Sequence, residues 1–169
     1  LHGKRLMDTM IRVNQIWKHP IYQEQLQALQ MLEADRKFCR HTPEHFLDVA
    51  RLMYIYSVEQ ELSISKEVIY AAAFMHDIGR IDQIEKGIPH EMAGAALCDR
   101  ILPDCGFAKE EISRIKDFIL HHRIKDTGAD TPLYEMLYWA DKKSRNCFAC
   151  AAQAECNWDR QKMNLEIDY

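Results

Sequence analysis

The stretch Val-Ile-Tyr-Ala-Ala-Ala-Phe-Met-His-Asp-Ile-Gly-Arg, residues 68–80, decides how this chain reads. Its first part, Val68 to Met75, is the longest apolar run in the sequence. It is far short of the ~20 apolar residues needed to span a bilayer. It suits a helix buried on every side, with Ser65 placed to cap its start and Gly79 placed to end it. His76 and Asp77 follow the run directly. Polar groups at the edge of a core are costly unless something satisfies them.

The neighbouring segments also repeat at helical spacing. Met7, Met10, Ile11 and Ile16 mark one face, and Ile21, Leu26, Leu29 and Leu32 a second. Thr42-Pro43 is a cap followed by a proline at the first helical position, with Phe46, Val49, Ala50 and Met53 on one face beyond it. Pro89 opens a helix through Ala93, Ala96 and Leu97. Ile112, Ile115, Ile119 and Leu120 mark another face. Thr131-Pro132 repeats the cap-and-proline start before Leu133, Met136, Leu137 and Ala140. Val and Thr number only four each, and no period-two run is clean. The expectation is an all-α, single-domain helical bundle of about seven helices, with no repeat and no linker.

Composition narrows the function. The 169 residues amount to about one domain. An apolar fraction of 47% and a charged fraction of 28% exclude a disordered or fibrous chain. Lys plus Arg is 22 and Asp plus Glu is 26, giving a net charge of −4 without the footprint of a nucleic-acid polymer binder. The opening Leu1-His2-Gly3-Lys4-Arg5 does not read as a signal peptide. A cytoplasmic protein without a membrane partner is expected, and its oligomeric state is left open. Eight His and six Cys stand out. In a reducing compartment such cysteines read as ligands, reactive groups or core fillers before disulfides.

Placed on the predicted helices, the histidines and acids fall at helix ends and beside apolar runs. His45 lies in the first turn after Thr42-Pro43, and His76-Asp77 at the end of the core helix. His90 follows Pro89, His121-His122 end the helix through Leu120, and Asp141 follows Leu137-Tyr-Trp-Ala140. Imidazole and carboxylate together suit Zn, Fe, Mn or Ni, and bundles build such sites from several helices. Taken singly each has an ordinary reading: His121-His122 can complement a helix dipole, and Asp141 can belong to a surface charge patch with Lys142-Lys143.

The order His45 … His76-Asp77 … His90 … His121-His122 … Asp141 resembles the HD-domain metal-dependent phosphohydrolases. The flanks resemble them too, in His45-Phe-Leu-Asp-Val-Ala50, Ala71-Ala-Ala-Phe-Met-His76-Asp77-Ile-Gly-Arg80, His90-Glu-Met-Ala-Gly94-Ala95 and Tyr138-Trp-Ala-Asp141-Lys142. The resemblance divides the chain into N-terminal helices over 1–37, an HD-type metal-binding core over 38–146 and a Cys-rich C-terminal segment over 147–169 packed on that core. It implies a first metal on His45, His76, Asp77 and Asp141. It implies a second on His90 with His121, His122 or both, His122 being favoured, and Asp77 bridging. One or two divalent ions (Fe, Mn, Zn, Ni or Mg) are the implied cofactors. The implied activity is cleavage of a phosphate ester or anhydride of a small molecule, a nucleotide by preference, by metal-activated hydroxide.

Asp77, Arg80 and Lys142 are the implied catalytic residues; Arg80, Arg123 and Lys142 are candidates to bind phosphate or to remain solvated. The Gly-Tyr-Pro extension of cyclic-dinucleotide phosphodiesterases is absent, since His122 runs into Arg123-Ile-Lys-Asp126-Thr-Gly128. The binuclear pattern is closer to the dinucleoside tetraphosphate hydrolases. An HD-like di-iron oxygenase and a non-catalytic metal- or redox-responsive binding module are the rival readings.

Cys147-Phe-Ala-Cys150 and Cys156 make a C-x2-C-x5-C pattern, whose first half has metal-site spacing. A closed site needs a fourth ligand. Cys39 lies six residues before His45 and Cys147 six after Asp141, so the pair become neighbours if His45 and Asp141 share a metal. The four could hold Zn or an iron–sulfur cluster, or be free thiols. Cys98 and Cys105 read as core, and His2, His19 and His41 as needing no special role.

Overall fold

Helix α4 (Lys66–Met75) is the pivot, with every residue from Val68 to Met75 buried. A helix apolar on all sides must be covered on all sides. Helices α3 (Pro43–Glu59) and α7 (Lys109–His121) lie along it, while α1 (Ile11–Lys18) and α6 (His90–Ile101) close the other faces. Helix α8 (Pro132–Lys143) packs on α3 and α7. Helix α2 (Pro20–Leu32) packs on α1, and α5 (Arg80–Lys86) sits between α2 and α6. The computed structural model describes residues 10–123 and 132–169, with only the backbone of Pro132, Leu133 and Tyr134. His2, Met7 and the Thr131 cap lie outside the described residues. Among those described there is no strand, and no helix is long and apolar enough to cross a membrane.

Among the described residues the seven expected helices are present with an eighth, α5, between α4 and α6. Its seven residues bury only Ile81, so no apolar stripe announces it. Thr42 caps α3 as expected, its hydroxyl accepting from His45 N at 3.4 Å. Ser65 sits at the start of α4 but makes no side-chain cap bond.

Gly79 does not end α4, as the sequence suggested. That helix stops at Met75, and Gly79 starts α5 after one turn. Its lack of a side chain is needed for packing: a Cβ there would lie 2.5 Å from both Gly94 N and His90 O. The turn carrying His76 and Asp77 is thereby pressed onto the first turns of α6. Gly79→Ala should destabilise the fold by about 1–3 kcal/mol, the usual cost of overpacking. It should also lower metal content by parting Asp77 from His90. Thermal melts and elemental analysis check this, and a variant with native stability and metal content would contradict it.

Beyond α8 the chain turns irregular. Two single-turn 3-10 helices, Cys147–Ala149 and Gln153–Glu155, are its only regular elements, and Cys147 is the only buried residue after Ser144. Asn164 ties the segment down, its amide donating to Lys142 O at 2.7 Å and Arg145 O at 2.9 Å. Lys37 pairs with Glu155 and Lys143 with Asp168.

Candidate metal centre

Helix ends meet at one place in the bundle. His45 stands in the first turn of α3, and His90 is the first residue of α6. His76 and His122 follow the last residues of α4 and α7, and Asp141 lies in the last turn of α8. Asp77 sits in the turn after α4. Two groups of ligand atoms result, each within 4.8 Å of one another: His45, His76, Asp77 and Asp141, and Asp77, His90 and His122. All six residues are buried. Asp77 belongs to both groups. Its Oδ2 faces His76 Nε2 at 2.9 Å, and its Oδ1 faces His90 Nε2 at 3.4 Å. Asp141 Oδ1 lies 3.3 Å from His45 Nε2 and 3.8 Å from His76 Nε2.

The hydrogen bonds outside this cluster fit it to metal ions. Nδ1 of His76 donates to Ala73 O at 2.7 Å, that of His90 to Gln83 Oε1 at 2.7 Å, and that of His122 to Ile119 O at 2.5 Å. A carbonyl oxygen only accepts, so each Nδ1 carries a proton. Ser144 Oγ donates to Asp141 O at 2.8 Å and therefore accepts from His45 Nδ1 at 3.1 Å. The outer partners thus turn every Nε2 toward the centre, as hydrogen bonds to the far ring nitrogen do for histidines at metal sites. Nε2 of His90 and Nε2 of His122 stand 3.1 Å apart. In neutral rings these are two lone pairs facing each other, a contact that calls for a cation between them. His76 Nε2 is buried without a well-aligned hydrogen bond, despite the nearby Asp77 oxygen.

Electrostatics agree with the geometry. Burial, then Arg80, pushes the pKa of His90 down to about 3. Burial lowers His45 to about 4, against the pull of Asp141. Both are neutral imidazoles at neutral pH, the form that can ligate a metal ion. Burial would raise Asp77, but His76, Arg80 and His41 hold it well below the usual carboxylate range. His76 goes the other way: burial opposes its charge, but Asp77 and Asp141 outweigh burial and push it up to about 10.

Without a bound cation, then, a proton sits on His76 between two carboxylates. A metal ion taking Nε2 must displace it. Metal uptake near neutral pH should release about one proton per chain, and affinity should climb with pH toward about 10. The stripped protein has the opposite slope. A raised folded pKa gives stability that is complete below the unfolded value of about 6.5 and is lost as pH rises through the folded one. Calorimetry in buffers of different ionisation enthalpy reads the release; uptake without it would contradict the assignment.

His121, named with His122 from the sequence, is not in either group. Successive helical residues point about 100° apart, and His121 Nδ1 bonds instead to Asp117 O at 2.7 Å. Arg123 is also displaced from its expected role. It is exposed, stands 4.0 Å from Glu91, and does not line the cavity over the cluster. Arg80 and Lys142 do reach the site. Arg80 Nε donates to Asp77 Oδ1 at 2.8 Å, and Lys142 Nζ to Asp141 Oδ2 at 2.7 Å.

Three residues that the sequence reading passed over join them. His41, thought to need no role, is buried with Nε2 3.4 Å from Asp77 Oδ2 and Nδ1 2.6 Å from Glu33 Oε1. Glu33, also buried, accepts from His41 N at 2.8 Å as well and so fixes that ring. Burial would raise Glu33, yet the bonds from His41 pull it down to about 2. Arg145 donates to His45 Nε2 at 3.0 Å, on the lone pair that a metal ion would take from it, and to Arg40 O at 2.8 Å. The lone signal for any of these was the closeness of His41 to Thr42-Pro43-Glu44-His45.

A cavity of about 190 Å³ opens over Asp141 and His41, and Arg36, Arg80, Lys142 and Arg145 line it. Phe38, Cys39, Cys156, Asn157 and Trp158 form its other walls. The C-terminal segment thus supplies one side of the cavity over Asp141, at the edge of the His/Asp cluster.

The family model of the HD domain matches residues 42–152. An uncharacterized protein of Clostridium beijerinckii is 41% identical over 160 residues, covering 95% of this chain and 100% of that protein. The crystal structure of a predicted HD superfamily hydrolase from an uncultured Thermotogales bacterium superposes with a TM-score of 0.56 at 20% identity. The match covers 78% of this chain, and the chain spans 65% of that structure's length. At that identity the likeness shows a shared fold.

Proposed function

The chain belongs to the HD-domain family, and from that premise we propose that it is a metal-dependent phosphohydrolase acting on a phosphorylated small molecule, a nucleotide by preference. The observation that carries this reading is the ring of Arg36, Arg80, Lys142 and Arg145 around a cavity floored by the metal ligand Asp141. Four cations beside buried carboxylates suit an anion that arrives with its charge on peripheral oxygens.

His45, His76, Asp77 and Asp141, and Asp77, His90 and His122, would hold divalent ions, which would supply Lewis acidity and a lowered water pKa. The protein's own groups do the rest. Arg80 and Lys142 anchor the carboxylates of Asp77 and Asp141 while keeping donor N–H groups for phosphate oxygens. Arg36 and Arg145 add charge from the opposite walls. His41, its ring fixed by Glu33, holds the Oδ2 of Asp77. Phe38 and Trp158 provide flat apolar surface, which favours a nucleotide over a simple phosphate ester. The small cavity and the net charge of −4 favour a small molecule over a nucleic-acid polymer. Six unpaired cysteines suit the cytosol as the place of work.

A screen of phosphomonoesters, nucleotides and dinucleoside polyphosphates with Mn(II) or Fe(II) tests the proposal. Phosphate or nucleotide release that needs the metal is expected. In Arg36→Ala, kcat/KM should fall about tenfold, the worth of one charge-assisted contact of about 1.4 kcal/mol, with metal content unchanged. Oxygen consumption by the reduced protein without phosphate release would assign it to oxygenase chemistry instead. Intact metal without turnover of any of these compounds would favour a binding module.

A further inference from the structure

Cys39, Cys147, Cys150 and Cys156 come from two distant parts of the chain and line one cavity of about 240 Å³. His45 and Ser144 also line this cavity, and it shares Phe38, Cys39, Arg145, Cys156 and Trp158 with the cavity over Asp141. All four thiols are free. We propose that these four cysteines ligate an iron–sulfur cluster, a site separate from the His/Asp centre and independent of the activity proposed for it.

Spacing of the sulfurs favours a cluster over a single ion. One tetrahedral zinc with arms of about 2.3 Å needs its thiolates about 3.8 Å apart. Among the described residues only the two His/Asp groups gather three or more ligand atoms within 4.8 Å of one another, so no three of these sulfurs converge that far. They surround a volume instead. A cluster fills such a volume, because its iron and inorganic sulfide stand between the thiolates.

Three further observations point the same way. The segment after Ser144 buries only Cys147 and has only two single-turn helices, so it has no core of its own. Such segments are held by a staple, and here the cysteines are the residues placed to provide one. Trp158 N donates to Cys156 Sγ at 3.5 Å, an N–H···S bond of the kind that stabilises and tunes cluster thiolates. Arg40 and Arg145 line the cavity and can offset the negative charge of a tetrathiolate cluster, while Phe38, Trp158 and Met163 add apolar wall. Assembly from two ferrous ions, two ferric ions and four sulfides breaks four S–H bonds, forms four bonds from iron to the cysteine sulfurs and releases four protons to solvent, with no further oxidant or reductant needed.

The test is anaerobic reconstitution of the whole chain with equal amounts of ferrous and ferric iron and with sulfide, followed by iron and acid-labile sulfide analysis and Mössbauer spectra. About four labile sulfides per chain are expected for a four-cysteine cubane. Cys150 is exposed, so Cys150→Ser should keep its helical circular dichroism and lose its labile sulfide. His76→Ala should do the reverse, losing metal from the His/Asp centre while keeping the sulfide. Iron bound without labile sulfide, zinc alone on the cysteines, or a Cys150→Ser variant with undiminished sulfide would each overturn the proposal.

Discussion

Replacing Asp77 by Ala should empty both halves of the metal centre and lower kcat/KM by at least about a thousandfold. The carboxylate is the only residue common to the two ligand groups, presenting one oxygen to His76 and the other to His90. Loss of several kcal/mol of transition-state stabilisation corresponds to a factor of that size. The damage spreads beyond the metals. Arg80 loses the partner 2.8 Å away, His41 loses its contact, and His76 loses the charge that does most to raise its pKa. Breaking a buried ion pair from one side commonly costs about 3–5 kcal/mol. Asp77→Asn, which keeps the shape, separates the effects: it should hold the fold better than Ala yet still fail to bridge. Elemental analysis beside a kinetic assay reads both, and an Asp77→Ala protein with two metals per chain would refute the bridging role.

The adjacent histidines give the second large contrast. His122→Ala should lose the metal shared with His90 and Asp77 and drop activity about a hundredfold or more, as expected when a metal's ligand set is broken. His121→Ala should keep metal content and kcat within about twofold, because its ring bonds back to Asp117 O on its own helix. The two variants carry the same change one residue apart, so general effects on the end of α7 cancel between them. Equal losses would mean that the helix end, rather than one imidazole, matters.

The ligands were legible from the sequence because each is written locally. His76-Asp77 ends a run that can only be a core helix, His45 follows a cap-plus-proline start, and His90 follows Pro89. Such features depend on neighbours in the chain. The cationic ring was half legible for the opposite reason. Arg80 and Lys142 sit beside ligands, but Arg36 reaches the cavity from the connection after α2, and Arg145 from the turn beyond α8. Their placement is decided by how those connections cross the end of the bundle, which no periodicity records. His41 and Glu33 were hidden in the same way, as a polar pair eight residues apart that becomes buried when that connection folds over Asp77. Gly79 carried a real signal with the wrong partner: its need is for close approach to α6, and α6 lies beyond another helix in the chain. The cysteine spacing brought Cys39 and Cys147 to one cavity, but only the folded distances speak against a single small ion there.

A metal titration tests the central claim most directly. Protein stripped by chelation is given Mn(II) or Fe(II) stepwise under anaerobic conditions, and phosphate release from a nucleotide substrate is followed at each step. The Cys150→Ser protein is used in parallel, so that metal at the cysteines does not enter the count. Activity should be absent in the stripped protein and should require occupation of both the His45/His76/Asp77/Asp141 and the Asp77/His90/His122 groups, reaching its plateau near two metals per chain. Undiminished phosphate release from the stripped protein, or from a variant lacking both His76 and Asp77, would contradict a metal-dependent phosphohydrolase.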